Sequence, residues 1–126
     1  MSGDQSKLDI LERMVDGFNA HDIDAIMSLF TDDCVFVAPR GADPWGRRFE
    51  GQTAVRDGLG ARFTTIPDVH YGDGSHFVAG DRGVSEWTFT GTRKDGTRVE
   101  VNGCDLFTFR DGKIAVKNSY RKNRLT

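Results

Sequence analysis

Glu86, Asp105, Asn118 and Tyr120 are the residues of this chain whose types and spacing predict acid–base chemistry. Two carboxylates that face each other in a partly dry pocket cannot both ionise cheaply, so one should keep its proton near neutral pH. The neutral acid can then donate to a substrate carbonyl while its ionised neighbour accepts a proton, as enolisation, aldol-type cyclisation and hydration require. We therefore predict Asp105 and Glu86 as the catalytic pair, flanked by Asn118 and Tyr120.

Two Asp-Gly pairs would bring these residues together by folding the C-terminal third of the chain into a three-stranded meander. Asp95-Gly96 and Asp111-Gly112 each separate two alternating runs, which is typical of two-residue hairpin turns. Counting outward from these turns places Glu86 opposite Asp105 and Asp105 opposite Asn118. Side chains alternate between the two faces of a strand, so large apolar residues share this face. They are Val99, Val101, Phe107 and Phe109.

Other foldings of the same strands remain open. A three-residue loop at Asp95-Gly96 would shift the register by one residue and exchange the faces, so that Trp87 lies beside Asp105 and Glu86 points outward. We favour the two-residue loop because the bulky residues of that strand lie on the side of Trp87. A bulge at Gly103 would also break the alternation, and Asp105 could have a purely structural role.

The segment 40–50 is predicted to be a long loop that closes over the mouth of the pocket. Glycine and proline punctuate it, and Trp45, Arg47 and Arg48 could clamp an anionic or planar ligand. The alternative is a solvated loop with Trp45 packed over the core. The residues predicted to bind a ligand are Asn118, Tyr120, Trp45, Thr88 and Phe107.

The composition argues against several classes of function. The 126 residues are expected to form one domain spanning 1–126, and a net charge of −2 gives no electrostatic footprint for nucleic acid. No apolar run approaches membrane length, so we expect no membrane contact. The polar start of the sequence shows no signal peptide, and we expect a cytoplasmic protein.

Neither the cysteines nor the histidines have the spacing of a metal site. Cys34 and Cys104 are isolated and are predicted to be reduced thiols, and we expect no metal and no cofactor. Basic residues cluster near the C-terminus, where we expect a solvated end of the chain. They are Lys117, Arg121, Lys122 and Arg124.

Helical and strand patterns follow one another in blocks. Apolar residues recur at helical spacing over about 5–19, over 23–30 behind a predicted N-cap at Asp22, and over about 51–65. Strands are predicted over about 34–38, 69–79, 83–92, 97–110 and 113–121. Helices that precede a run of antiparallel strands predict an α+β fold, with the helices on one face of a curved sheet.

The opposite face of this sheet would need its own cover. In the predicted register Trp87 and Phe89 lie on the side away from Glu86, together with Cys104 and Leu106. An exposed patch with Trp and Phe is typical of a partner surface. We therefore predict a homodimer through the outer face of the sheet.

Four phrases along the chain resemble a known superfamily: NAHDIDAI (19–26), LFTDDC (29–34), FEGQTAV (49–55) and FTFRDGKI (107–114). In this order they are similar to the nuclear-transport-factor-2-like, or cystatin-like, fold, and within it to the SnoaL-like, polyketide-cyclase-like branch. The resemblance implies a cone-shaped α+β barrel, in which a curved antiparallel sheet wraps around the helices and leaves a pocket against its concave face. It also implies a dimer joined through the sheets.

Ketosteroid isomerase is a relative in which an Asp base works with a Tyr and a protonated Asp. The resemblance places the base at Ala38, the Tyr at Met14 and the protonated Asp at Asp105. Ala38 cannot take a proton and Met14 cannot donate a hydrogen bond, so steroid isomerase activity is not expected. SnoaL-like cyclases use one acidic residue, and their usual Trp and Asp after the last turn are replaced here by Asn118 and Ser119.

We therefore expect a pocket for a small hydrophobic or carbonyl-containing molecule. The reaction would be that of a cofactor-independent acid–base lyase, isomerase, cyclase or hydratase acting through Asp105. The alternative is a non-catalytic ligand-binding or dimerisation module of the same fold, because a fold does not fix a function.

Overall fold

The computed structural model describes residues 3–125 and confirms the predicted α+β fold. The helices are α1 (Gly3–Asn19), α2 (Ile23–Met27) and α3 (Gln52–Thr65). The strands are β1 (Phe30–Val37), β2 (Arg48–Glu50), β3 (His70–Ala79), β4 (Arg82–Thr92), β5 (Arg98–Arg110) and β6 (Lys113–Arg121). The short strand β2 lies inside the segment predicted to be loop, and β1 begins four residues earlier than predicted, at Phe30.

The helices begin and end for local reasons. Asp22 caps α2 as predicted, because its carboxylate accepts a hydrogen bond from the backbone N–H of Ala25 at 3.0 Å. Helix α3 ends before Pro67, whose ring disfavours helical backbone in the residue that precedes it. On α1 the buried residues Leu11, Met14 and Phe18 recur at helical spacing and face the sheet.

The six strands form one sheet in the order β2-β1-β6-β5-β4-β3. Strands β1 and β6 are parallel, and every other neighbouring pair is antiparallel. Two buried apolar clusters fill the space between this sheet and the helices. One includes Leu11, Met14, Phe30, Phe107, Phe109 and Ile114, and the other includes Ile66, Val69, Trp87, Phe89, Val99 and Val101.

The loop between β4 and β5 is one residue longer than predicted. Three residues lie between Arg93 and Thr97, which are joined by a hydrogen bond of 2.9 Å from the N–H of Arg93 to the carbonyl of Thr97. Gly96 takes a positive φ of 88°, and Asp95 accepts a hydrogen bond from the N–H of Thr97 at 2.9 Å. A glycine in the left-handed region at the third position is typical of a three-residue hairpin loop. The predicted two-residue register is therefore wrong.

This shift exchanges the two faces of β4. Ser85 lies opposite Asp105, and Glu86 points outward and is exposed. Trp87 and Phe89 lie inside the protein, with exposed fractions of 5% and 0%. The prediction that Trp87 and Phe89 form an outer dimer surface is therefore wrong, because both rings belong to the core.

The pairing of β5 with β6 carries a bulge. The register next to the turn agrees with the prediction, and it then shifts by one residue at Ala115. Asp105 consequently lies opposite Ser119 and not opposite Asn118. Asn118 and Tyr120 lie on the outer face, and the alternate residues of β6 turn inward.

Candidate functional site

Asp105 lies between the two apolar clusters and is the centre of a buried hydrogen-bond network. Its Oδ1 accepts a hydrogen bond of 3.0 Å from Nζ of Lys117 and a second, short one from the hydroxyl of Ser119. Its Oδ2 accepts a hydrogen bond of 3.0 Å from Nε1 of Trp87. Both oxygens thus act as acceptors, because the lysine ammonium and the indole N–H can only donate. All four side chains are buried.

Gly103 allows Trp87 to reach this carboxylate. The two residues are directly opposite each other on β4 and β5, and a Cβ built on Gly103 would lie 2.6 Å from the indole ring. The ring therefore occupies the space above Gly103 and reaches Asp105, two residues further along β5. A glycine inside a strand is often a place where another group approaches the backbone closely.

Lys117 is 5% exposed and is enclosed by aromatic rings. Its Nζ lies 4.9 Å from the ring centroid of Phe36 and 5.5 Å from that of Phe18. Burial lowers the pKa of the amine, and the neighbouring Asp105 opposes this change. The Nζ also donates a hydrogen bond of 2.9 Å to the hydroxyl of Ser119. Two oxygen atoms, one from Asp105 and one from Ser119, thus occupy two of its three donor positions.

An open cavity leads from the surface to this lysine. Its outer part has a volume of about 350 Å³, and a narrower recess of about 40 Å³ continues inward from it. Phe36, Pro39, Gly58, Arg62 and Arg121 line both parts. The recess is further lined by Phe18, Leu59, Tyr71, Trp87, Lys117 and Ser119. Asp105 is absent from the lining, because its three hydrogen-bond donors lie in front of it.

Tyr71 forms one wall of the recess. Its ring makes edge contacts with the rings of Trp87 and Phe89, at centroid distances of 5.0 and 5.3 Å. Burial, together with the charge of Asp105, raises the pKa of Tyr71 to about 12, although Arg62 acts in the opposite direction. The phenol therefore remains a hydrogen-bond donor at neutral pH.

Arginines surround the outer part of the cavity. Those in its lining are Arg40, Arg47, Arg62, Arg93, Arg98, Arg121 and Arg124, and Glu100 is the only carboxylate there. The guanidinium groups of Arg62 and Arg121 each lie 5.2 Å from the ring centroid of Phe89. Burial and the charge of Arg62 lower the pKa of Arg121 to about 10.

The structure separates the residues that the sequence predicted as one site. Asp105 and Phe107 were both predicted to face the pocket, but both are buried and neither lines the cavity. Asp105 lies directly behind three residues that do line the recess, Trp87, Lys117 and Ser119. Glu86 and Thr88 lie on the outer face, where the hydroxyl of Thr88 bonds to Oδ1 of Asn102 at 2.9 Å. The prediction that Glu86 is the partner of Asp105 is therefore wrong, because the register shift removes it from the site.

Three other predicted ligand-binding residues lie together in a different place. Trp45, Asn118 and Tyr120 line a groove of about 290 Å³ on the outer side of the 40–46 segment. Trp45 and Tyr120 are 64% and 52% exposed, so neither packs into the core. Within the same loop Arg40 and Arg47 line the main cavity, which agrees with a position at its mouth.

Sequence reasoning missed Lys117, Ser119 and Arg121, which share the inner face of β6. Lys117 and Arg121 were expected in a solvated end of the chain, and this expectation is wrong, because neither side chain is exposed. Polar residues at alternate positions opposite Asp105 were the available signal. The bulge at Ala115 hid this signal, since without it Asn118 is the residue that faces Asp105.

The described residues carry no other prominent feature of a site. Within residues 3–125 no three His, Cys, Asp or Glu side chains are arranged so that they could hold a metal ion. No helix in the same range has the length and apolar character needed to cross a lipid bilayer.

The sheet with helices on its concave face, open at one end to a cavity, is the architecture of the nuclear-transport-factor-2-like fold. The family model of the SnoaL-like domain matches residues 11–117. The chain therefore belongs to the SnoaL-like family, as its sequence phrases predicted. No protein of curated function matches it in sequence.

Solved structures share this fold over nearly the whole chain. A proposed polyketide cyclase from Xanthomonas campestris pv. campestris has a TM-score of 0.85 at 20% identity, with 97% of this chain and 93% of that one covered. A nuclear-transport-factor-2-like protein of unknown function from Mesorhizobium loti has a TM-score of 0.80 at 28% identity, with coverages of 98% and 96%. A proposed isomerase from Bacillus subtilis has a TM-score of 0.82 at 17% identity, with coverages of 97% and 90%.

Proposed function

We propose that the protein is a cofactor-independent isomerase or cyclase that acts on a small carbonyl compound, with Lys117 as the hydrogen-bond donor to the carbonyl oxygen. The observation that carries this proposal is the buried amine at the floor of the recess. Asp105 and Ser119 hold the amine from behind, and its third N–H donor has no acceptor among the described residues. A carbonyl oxygen that enters the recess would supply this acceptor.

The proposed chemistry follows from where charge develops. Enolisation transfers an α-proton to a base, which in this open cavity is solvent water because no carboxylate among the described residues lines the recess, and it moves negative charge onto the carbonyl oxygen. A fixed, preorganised donor stabilises this charge better than mobile water does. In this proposal Lys117 contacts the substrate, whereas Asp105 is a positioning residue that orients the amine and balances its charge. This replaces the acid role that the sequence predicted for Asp105, because both of its oxygens already accept hydrogen bonds.

The dimensions of the cavity favour a particular placement of the substrate. The recess, at about 40 Å³, has room for little more than one functional group, whereas the outer part has about 350 Å³ for the body of the molecule. Phe36 and Phe49 in the lining of the outer part favour a flat ring in the body of the molecule.

Exchange of α-protons in deuterium oxide tests this proposal. With tetralone, cyclohexanedione and hydroxynaphthoquinone as carbonyl probes, NMR should show faster exchange for at least one of them in the presence of the protein than in buffer. The double variant Lys117→Met/Asp105→Asn removes both charges and should lower the exchange rate by about 100- to 1,000-fold. Its circular dichroism and melting temperature provide the control for folding.

A non-catalytic binding module is the second candidate. One observation favours it: Glu100, in the outer part, is the only carboxylate among the described side chains that line the cavity, so the recess itself holds no carboxylate base. If all three probes bind and none exchanges faster than in buffer, the binding module is the correct description.

A homodimer through the outer face of the sheet is still a proposal, but its residues change. Val84, Leu106 and Val116 now point outward and are only half-buried in the single chain. A dimer would cover these apolar side chains. Light scattering after size exclusion should give twice the mass of the chain, and Leu106→Lys should give the monomer.

A further inference from the structure

We infer that the substrate carries an acidic group, a carboxylate or a phosphate, and that Arg62 and Arg121 bind this group where the outer cavity meets the recess. This inference rests on the proposed function only in taking the cavity as the ligand site. It does not depend on the chemistry assigned to Lys117.

The first support is the position of the two arginines. Arg62 comes from α3 and Arg121 from the end of β6, and both line the outer cavity as well as the recess. Each guanidinium group lies 5.2 Å from the ring centroid of Phe89, so both contact the same ring. Two guanidinium forks at one place match the oxygens of a carboxylate or a phosphate.

The second support is that these charges are not neutralised. Five ion pairs form among the described residues, and neither Arg62 nor Arg121 takes part in any of them. Nε of Arg121 is buried and has no hydrogen-bond partner. A buried donor without a partner costs about 1–3 kcal/mol, so its presence calls for an acceptor that the protein itself does not supply.

The third support is the distribution of charge over the whole molecule. The chain has a net charge of −2, yet seven arginines and one glutamate line the outer cavity. A cavity lined by one sign of charge attracts ligands of the opposite sign and raises their local concentration. The excess of arginine is therefore a feature of this opening, where one of the seven, Arg98, is paired with Asp68.

Nucleic acid and a membrane surface fit these observations less well. Arg62 is only partly exposed and Arg121 has a buried Nε, so both are accessible from the cavity and not from a flat surface. A phosphate of a polymer would have to reach the inner end of the cavity, where Arg62 and Arg121 also line the narrow recess. A small acidic molecule with an apolar ring satisfies both the arginines and the aromatic walls.

Three probes of one shape test the charge requirement: naphthoate, naphthyl phosphate and the neutral naphthamide. Calorimetry measures their affinities. NMR reports contact with Arg121 through its Nε–Hε signal, which is assigned as the signal that disappears in Arg121→Gln. At least one anion should bind about tenfold more tightly than naphthamide, shift this signal and bind more weakly at high salt. The preferred anion then distinguishes a carboxylate substrate from a phosphate substrate.

Matched variants locate the binding. Arg62→Gln and Arg121→Gln should each weaken the anion about tenfold and leave naphthamide unchanged, whereas Arg13→Gln, exposed on α1 outside the cavity lining, should change neither. Equal affinity for naphthamide and both anions, or no shift of the Arg121 signal at saturating anion, would overturn the inference. A protein that prefers the anions about tenfold but does not accelerate exchange of the carbonyl probes would overturn the proposed function alone, so the two proposals fail separately.

Discussion

Lys117 and Arg121 lie four residues apart on the same face of β6, and their surroundings differ in one decisive respect. Lys117 is the more deeply buried, and it has a carboxylate, a hydroxyl and two aromatic rings around its amine. Arg121 is less buried, but the largest effect of a neighbouring charge on its pKa comes from another arginine, Arg62, and its Nε has no partner among the described residues. The burial of a cationic side chain therefore does not by itself tell whether it is available to a ligand.

The comparison shows two ways in which a protein keeps positive charge in a cavity. At the floor, Asp105 compensates the charge within the fold, which fixes the amine and leaves one donor for a ligand. At the junction with the outer cavity, the charge of Arg62 and Arg121 is left for a ligand to compensate. The first arrangement contributes to stability only as a pair, and the second is maintained at a cost to stability.

The largest expected effect concerns the pair at the floor. Lys117→Met and Asp105→Asn should each lower the free energy of unfolding by about 3–5 kcal/mol, because each leaves the other charge buried without its partner. The double variant should be more stable than either single variant. Urea unfolding followed by circular dichroism measures all three. Single-variant losses below about 1 kcal/mol would show that the pair is solvated and not buried.

Tyr71 provides the next largest effect, through pH. Its pKa is about 12 in the folded protein against 10.0 for the ordinary phenol, so the unfolded chain loses this proton first. The stability from Tyr71 is complete below pH 10 and is lost as the pH rises to about 12, by up to roughly 3 kcal/mol. The free energy of unfolding is measured against pH for Tyr120→Phe and for the double variant Tyr71→Phe/Tyr120→Phe. Because the chain has only two tyrosines, the pH-dependent part of the difference between the two variants is the contribution of Tyr71.

Absorbance titration of Tyr120→Phe checks the same assignment directly, because Tyr71 is then the only phenol. Its midpoint should be about 12 in the folded protein and should return to the ordinary value of 10.0 in denaturant. A folded-state midpoint at 10.0 would contradict a buried position against Trp87 and Phe89.

Arg121→Met should have a smaller effect, with the opposite sign. The substitution keeps an apolar stem on Phe89 and removes both the unpartnered Nε and the repulsion from Arg62. The free protein should gain about 1 kcal/mol of stability while its affinity for acidic ligands falls. Arg13→Met, on the exposed face of α1, serves as the control. A loss of stability would mean that a group of the protein already compensates Arg121.

The smallest expected effect distinguishes the observed register from the predicted one. Glu86→Gln should change the free energy of unfolding by less than about 0.5 kcal/mol and should leave exchange of the carbonyl probes unchanged, because Glu86 is exposed on the outer face. Asn118→Ala, on the same face, should behave in the same way. A clear loss of exchange of the carbonyl probes in Glu86→Gln would indicate that Glu86 lies in the site, as the two-residue loop predicts.

The sequence alone was sufficient for the fold. Helical periodicity, the Asp22 cap, Pro67 and the strand pattern located the three helices and the last four strands to within a few residues, since these signals are local. The family phrases pointed to the same fold, and they match the SnoaL-like domain over residues 11–117. The inward direction of Asp105 was also predictable, because alternation along β5 places it among buried apolar residues, whereas its position behind the lining of the cavity was not.

Only the tertiary structure decided which residues surround Asp105. Strand faces alternate with a period of two, so one extra residue in the 93–97 loop moved Glu86 out and Trp87 in, and one bulge at Ala115 replaced Asn118 with Lys117 and Ser119. The arginine site was beyond sequence reasoning for a different reason. Arg62 and Arg121 are far apart in the chain, and only the packing of α3 against the sheet brings both to the ring of Phe89.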